Sequence, residues 1–334
     1  MALRLFNKLK NTVLQKSMVL LYHRIAEPEV DIWDLSVSPD RFEQQLQVLK
    51  KRMKIVSLQE LIRTKSLFKN RVAITFDDGY IDNYKMAKPI LEKYEIPATF
   101  FVTSRQDQCE CEYWWDILEN CILSTEYLPP VFNMDIEGKE FEFSLEGETC
   151  LTIDIFQLHK KWKAYVEDPP TLRAKLYNQL WLMLKVLPFN EQHFYLKKIL
   201  EWAHAAEAII RSDYRTMSAK ELKQLANCRL FTIGSHTVHH PSLAQHGADF
   251  QKREIIENRK YLEEILGCKI RFLAYPYGNY NEETLIIARN LDFDAAFTTE
   301  ERMINTSAIY QLGRFQVKNL TGTEFSNQLE NWLH

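Results

Sequence analysis

Two adjacent carboxylates, Asp77 and Asp78, close the apolar run V-A-I-T-F at 72–76 and are followed by Gly79 and Tyr80. Further along, S-H-T-V-H-H-P follows a second apolar run at 230–234, with His236 and His240 four residues apart. That spacing puts both imidazoles on one side of a helical turn, where two nitrogens reach one metal ion, and leaves His239 pointing elsewhere. One carboxylate and two imidazoles make a ligand set suited to Zn²⁺ with positions open for water and substrate; Co²⁺ and Ni²⁺ share such ligands. The second carboxylate is then free to take a proton, and the pair suggests a hydrolytic site. Adjacency says that one aspartate binds and the other does not; it does not say which. The plain alternative, that Asp77-Asp78-Gly79 is simply a turn, is weakened by the histidines. A third histidine, His23, follows M-V-L-L-Y at 18–22, although a lone histidine after a strand is most often structural.

Each of these polar groups ends an apolar run. Buried parallel strands read in this way, and they deliver polar residues to the C-terminal edge of a sheet, where α/β folds do chemistry. Between the runs lie helical patterns. Ser38 caps a helix with Pro39 in its first turn and Phe42, Leu46, Leu49 and Met53 inward; shorter helices fall at 57–63 and at 82–94, the latter interrupted at Pro89. S-A-K-E at 218–221 is a capping box, and further helices are predicted at 249–266 and 281–290. Strands at 18–22, 55–56, 72–76, 98–103, 230–234, 271–275, 295–299 and 310–317, the last carrying Arg314, predict an α/β fold. It is a distorted (β/α) barrel of seven or eight parallel strands with a mainly helical insertion.

The expected organisation is a basic amphipathic helix at 1–17, the barrel at 18–107 and 216–334, and the insertion at 108–215. The insertion opens with E-Y-W-W-D-I-L, continues through a hairpin at 131–143, and includes a long amphipathic stretch at 171–206. Trp114, Trp115 and Asp116 would line a sugar pocket if the insertion covers the site; core packing is the commoner role for such aromatics.

Composition excludes several classes. With 42 Lys plus Arg against 45 Asp plus Glu, the net charge of -3 gives no footprint for nucleic acid. Only 9 glycines are present and no phosphate-binding glycine loop follows a strand, which argues against a nucleotide site. The six cysteines, Cys109, Cys111, Cys121, Cys150, Cys228 and Cys268, follow no metal or disulfide spacing and read as reduced thiols. The N-terminal sequence supplies no apolar run of signal-peptide length. Its Leu5, Leu9 and Val13 stripe beside Arg4, Lys8, Lys10 and Lys16 suits either docking on the fold or contact with an anionic membrane face.

T-F-D-D-G at 75–79, H-T-x-x-H-P at 236–241 and Y-P-Y-G at 275–278 together resemble the first three motifs of the polysaccharide deacetylases, carbohydrate esterase family 4, with its NodB-homology fold. The resemblance covers 18–107 and 216 to about 317. Y-H-R-I at 22–25 and S-P-x-x-F-x-x-Q-L at 38–46 resemble the branch of biofilm poly-N-acetylglucosamine and surface-polysaccharide deacetylases. It implies that Asp77 is the general base, that Asp78, His236 and His240 hold the metal, and that the backbone N–H of Tyr277 donates to the oxyanion. The family's closing L-x-x-x-H motif is missing, since His334 follows a helix. The biofilm branch draws its acid from the first strand, which makes His23 the expected general acid. The family's arginine before the third motif's proline is replaced by Tyr275. Arg314, or less readily Arg271, is expected to orient Asp77 instead.

The expected function is metal-dependent hydrolysis of an amino sugar's N-acetyl group, on a glycan or lipid-linked precursor at the cytoplasmic face of a membrane. A metal amidase or deformylase acting on a non-sugar substrate, and a glycan-binding pseudoenzyme, are the alternatives.

Overall fold

The computed structural model describes residues 16–63, 70–104, 112–136, 138–205 and 211–333. Residues 1–15 of the expected N-terminal helix, Cys109 and Cys111 lie outside this set, and Ser17, its last expected residue, instead opens the strand Ser17–Tyr22. Seven strands follow one another across a curled parallel sheet: Ala295–Phe297, Phe272–Ala274, Phe231–Ser235, Ala98–Val102, Arg71–Phe76, Ser17–Tyr22 and Phe315–Gln316. An eighth, Lys54–Ile55, pairs with the start of Arg71–Phe76. The expected distorted barrel is therefore the observed architecture. The two ends of the sheet approach each other where Phe297 bridges Leu312, three residues before the last strand.

The central strand Arg71–Phe76 is buried along its whole length. Its neighbours are fixed by register, Tyr22 opposite Phe76 on one side and Phe100 opposite Phe76 on the other. Phe76 stacks on Phe100 with ring centroids 4.8 Å apart and on Tyr22 at 5.5 Å. Burying each such ring stabilises the fold by roughly 1.5–3 kcal/mol, so register is locked at the point where Asp77 leaves the sheet.

The helix Pro39–Arg52 has its Ser38 cap and buries Phe42, Leu46 and Leu49. Helix Ala219–Ala226 carries the expected capping box. Around Pro89 the interruption takes the form of a π-helical turn, Asn83–Ala87, running into the α-helix Lys88–Lys93. The last strand is shorter than the sequence pattern suggested, and Arg314 stands just ahead of it.

Between Val102 and Ser218 the described residues form the helix Trp114–Glu119 with a π turn after it, the antiparallel hairpin Val131–Ile136 with Lys139–Ser144, and three further helices. The stretch 171–206 is two helices, Leu172–Lys185 and Phe189–Trp202, because Pro188 cannot continue the first. The helix Ile153–Lys161 was not expected, although Thr152 caps it by accepting from the N–H of Ile155. No helix among the described residues is long and apolar enough to cross a membrane.

Candidate active site

Asp77 and Asp78 emerge from the end of Arg71–Phe76, both buried. The N–H of Asp77 still donates to Tyr22 O, extending the sheet by one residue. Asp78 then turns into the left-handed region (φ 71°), followed by Gly79 (φ 75°). A side chain at Gly79 would stand 2.8 Å from Val102 Cγ1, so glycine is required there twice over.

His236 and His240 lie on a loop, where the sequence pattern had placed them on a helical turn. Thr237 (φ 66°) and His240 (φ 61°) are both left-handed, and it is this reversal that turns the two imidazoles towards each other. Their ring centroids are 4.9 Å apart. Thr237 Oγ1 accepts from the N–H of His240, closing the loop on itself. His239 points away, as expected, and Nδ1 meets Glu254 Oε1 at 2.8 Å. Sequence reasoning missed Glu254. Its other oxygen accepts from the N–H groups of Val238 and His239 at 3.0 and 2.9 Å, so one buried carboxylate holds the loop that presents both histidines.

Asp78 Oδ1 is the meeting point, 3.4 Å from His236 Nε2 and 3.3 Å from His240 Nε2. It is buried and has no hydrogen-bond partner among the described residues. One donor atom from each of the three residues lies within 4.8 Å of the others. His236 Nδ1 is occupied by Ala274 O at 2.8 Å, which leaves Nε2 facing Asp78. An orphaned carboxylate oxygen between two imidazole nitrogens, one with its far side fixed by a carbonyl, is the donor chemistry a divalent metal requires. The residues fit the ion.

Burial would raise the Asp78 carboxyl, but the surrounding imidazoles outweigh it and hold the group below its usual range. Burial pushes the His240 imidazole down to about 3, keeping it neutral and able to donate a lone pair. For His236, burial is outweighed by Asp77 and Asp78, which hold its pKa above the ordinary value. A cation is welcome between these groups, whether a proton or a metal.

Asp77 faces a different partner. Arg314 Nη1 and Nη2 each donate to one of its oxygens at 2.7 Å, in bidentate geometry. The guanidinium is fully buried, reaches past Thr75 Oγ1 and also donates through Nε to Thr298 O. Against the penalty of burial, Arg314 holds Asp77 below the usual carboxylate range. Arg271 is elsewhere, paired with Asp294 near the surface.

His23 follows the strand Ser17–Tyr22 and its Nδ1 is buried without a partner among the described residues. Burial lowers its pKa, opposed by the charges of Asp78 and Asp77. Tyr277 occupies a left-handed turn (φ 56°, ψ 10°) after Pro276. Its ring lies 4.4 Å from that of His240. Gly278 beside it tolerates no side chain, since a Cβ would press on the backbone N of Thr299 at 2.8 Å. Trp115 packs at 4.9 Å from the His240 ring, and Trp114 on Trp181, so these aromatics are buried and also wall the site. Asp116 accepts from Tyr80 Oη and takes no part in the donor cluster.

A family model described as polysaccharide deacetylase matches residues 64–122 and 194–296. These segments contain all three motifs: T-F-D-D-G, H-T-x-x-H-P and Y-P-Y-G. The chain carries a polysaccharide deacetylase domain. Among curated relatives, the Bacillus subtilis protein YxkH, named as a polysaccharide deacetylase, is 26% identical over 117 residues, covering 34% of this chain and 42% of that protein. The poly-beta-1,6-N-acetyl-D-glucosamine N-deacetylase of Staphylococcus aureus is 35% identical over 102 residues, 26% of this chain and 35% of that protein. The chain thus aligns with less than half the length of either relative. Two solved structures share the fold across nearly the whole chain. The Streptococcus pyogenes deacetylase PplD in complex with acetate has a TM-score of 0.56 at 20% identity, covering 96% of this chain and 98% of that one. IcaB from Ammonifex degensii has a TM-score of 0.55 at 19% identity, covering 96% and 97%. Within this deacetylase domain the donor set and Asp77 fall inside the matched segments, whereas His23 and Arg314 lie outside them.

Proposed function

We propose that this protein hydrolyses the N-acetyl group of an amino sugar in a glycan or glycan precursor, releasing acetate, with a divalent metal, Zn²⁺ foremost, held by Asp78, His236 and His240. The observation that carries the reading is the division of labour between two adjacent carboxylates. Asp78 faces two imidazoles with an unpartnered oxygen, and Asp77 is gripped by Arg314. A bound ion supplies Lewis acidity, polarising the acetamide carbonyl and making water acidic enough to attack at neutral pH.

The chain's own residues do the rest. Asp77, kept ionised and pointed by Arg314, takes the proton of the attacking water. The N–H of Tyr277, in its strained turn, donates to the oxygen on which charge develops. As the C–N bond breaks, His23 gives a proton to the departing amine. The buried ring walls of Trp115 and Tyr277 limit water at the reacting carbon. A substrate near a membrane, such as a lipid-linked sugar at the cytoplasmic face, belongs to the proposal on the strength of the basic amphipathic pattern of residues 4–16.

The test is acetate release from N-acetylhexosamine oligomers and lipid-linked N-acetyl sugars by wild type, Asp77→Asn and His23→Ala after Zn²⁺ loading. Both variants are expected to bind metal and to lose about 10²–10⁴-fold in kcat, the usual contribution of a positioned acid or base. Full activity in His23→Ala would remove that residue from the mechanism. Turnover of simple formamides but no sugar would favour an amidase, and bound metal with no turnover a glycan-binding protein.

A further inference from the structure

Lys185 ends the helix Leu172–Lys185 in the segment between the motif-bearing halves of the chain. Its ammonium lies 4.4 Å from the centroid of Tyr277 and 4.6 Å from that of Trp181. The Tyr277 ring is in turn 4.4 Å from the His240 ring. The charge thus stands two short steps from a metal-binding histidine, on the residue whose N–H faces the reacting oxygen.

Other half-buried lysines have acceptors. Lys163 meets Asp34 at 3.0 Å and Lys88 meets Glu92 at 2.9 Å. Among the described residues Lys185 has neither a carboxylate nor a hydrogen-bond acceptor, and burial pushes its pKa down with no acidic group opposing the shift. Two aromatic faces offset part of the desolvation, but accept none of its three N–H donors in the way an oxygen does. A cation left in that condition beside an active site is poised for an acceptor that arrives with the substrate. Charge balance agrees: a bound dication, Arg314 and Lys185 outweigh Asp77 and Asp78, so the loaded site attracts negative charge.

We infer that Lys185, held against Tyr277 and Trp181, is a specificity-determining residue that binds an anionic group, a carboxylate or a phosphate, on the acetamido sugar or its immediate neighbour. This rests on the deacetylase reading and narrows its substrate class to acidic glycans or phosphorylated sugars. A neutral homopolymer of N-acetylhexosamine would leave the ammonium unmatched.

The experiment measures binding by calorimetry and acetate release in parallel, with three probes. They are N-acetylglucosamine 1-phosphate, a disaccharide of N-acetylglucosamine linked to glucuronate, and neutral N,N′-diacetylchitobiose. Wild type is expected to bind at least one anionic probe about tenfold more tightly than the neutral one, with the preference shrinking at high salt. The arm that shows it identifies phosphate or carboxylate. Lys185→Met, which keeps the apolar stem, should abolish the preference, and Lys185→Arg should retain it. Equal affinity for neutral and anionic probes in wild type, or a preference that survives in Lys185→Met, overturns the inference. Acetate release with no charge preference would sink this inference and leave the deacetylase reading standing. Anion preference lost in Lys185→Met, with no acetate from any probe, would do the reverse.

Discussion

Arg314 grips both carboxylate oxygens of Asp77 at 2.7 Å across 237 residues of sequence, and neither group is exposed to solvent. Arg314, just ahead of the strand that neighbours Ser17–Tyr22, thereby orients Asp77, the proposed base, at the end of the central strand. Removing one partner of such a pair leaves the other charge buried and alone, which typically costs about 3–5 kcal/mol.

Arg314→Met is therefore expected to lower stability by about that amount in denaturant unfolding. Asp77 has its folded pKa below the ordinary value, so its contribution to stability is present above about pH 4 and is lost as pH falls through the folded value. Without Arg314 the carboxyl titrates at higher pH. The acid limb of kcat/KM should move upward in Arg314→Met and partly return in Arg314→Lys; an unmoved limb would separate Arg314 from the base.

Asp116 carries the opposite shift. Burial raises its carboxyl to about 7, only partly countered by Arg24 and the Tyr80 hydroxyl. A carboxyl whose folded pKa is raised favours the fold most below its unfolded pKa near 4, and that contribution is lost as pH rises through about 7. Thermal midpoints of the metal-free protein should therefore fall between pH 5 and pH 8. Asp116→Asn should flatten the slope. Part should remain, because burial also raises Glu119.

Glu254 touches no donor atom, yet it holds the loop between the two histidines through both of its oxygens. Groups that hold metal ligands in place typically account for 10–100-fold in affinity. Glu254→Gln is expected to weaken Zn²⁺ binding by about that factor in chelator competition. The metal-free thermal midpoint should change less than the metal-loaded one, since ion binding stabilises only the assembled site. A matched loss in both states would make Glu254 a structural residue alone.

How much of this was legible depends on what each residue's environment left in the chain. Asp77, Asp78, His23 and His236 follow apolar runs closely, and strand ends are visible in a linear pattern; His240 was marked by its spacing from His236, and Arg314 by its place in the last expected strand. The shape of the histidine loop was not, because left-handed threonine and histidine carry no local signature; the i, i+4 spacing pointed to the pair that the structure brings together, but through the wrong geometry. Glu254 sits on the buried side of the helix Ala248–Leu266 beside Ile255, so a charged residue on an inward position was the only available signal. The break between Leu172–Lys185 and Phe189–Trp202 is marked in the sequence by Pro188 itself. The meeting of Lys185 with Tyr277 is fixed by tertiary packing, which no local pattern encodes.

Asp78, Thr237, His240 and Tyr277 all hold left-handed backbone that side-chain-bearing residues resist, at on the order of 1–3 kcal/mol for each such strained residue. Glycine would relax any of the four turns. At Asp78 and His240 it would also delete a proposed ligand. Selection for a firmer fold and selection for a working centre thus pull in opposite directions at these positions, and a redesign guided by stability alone would dismantle the proposed metal site first.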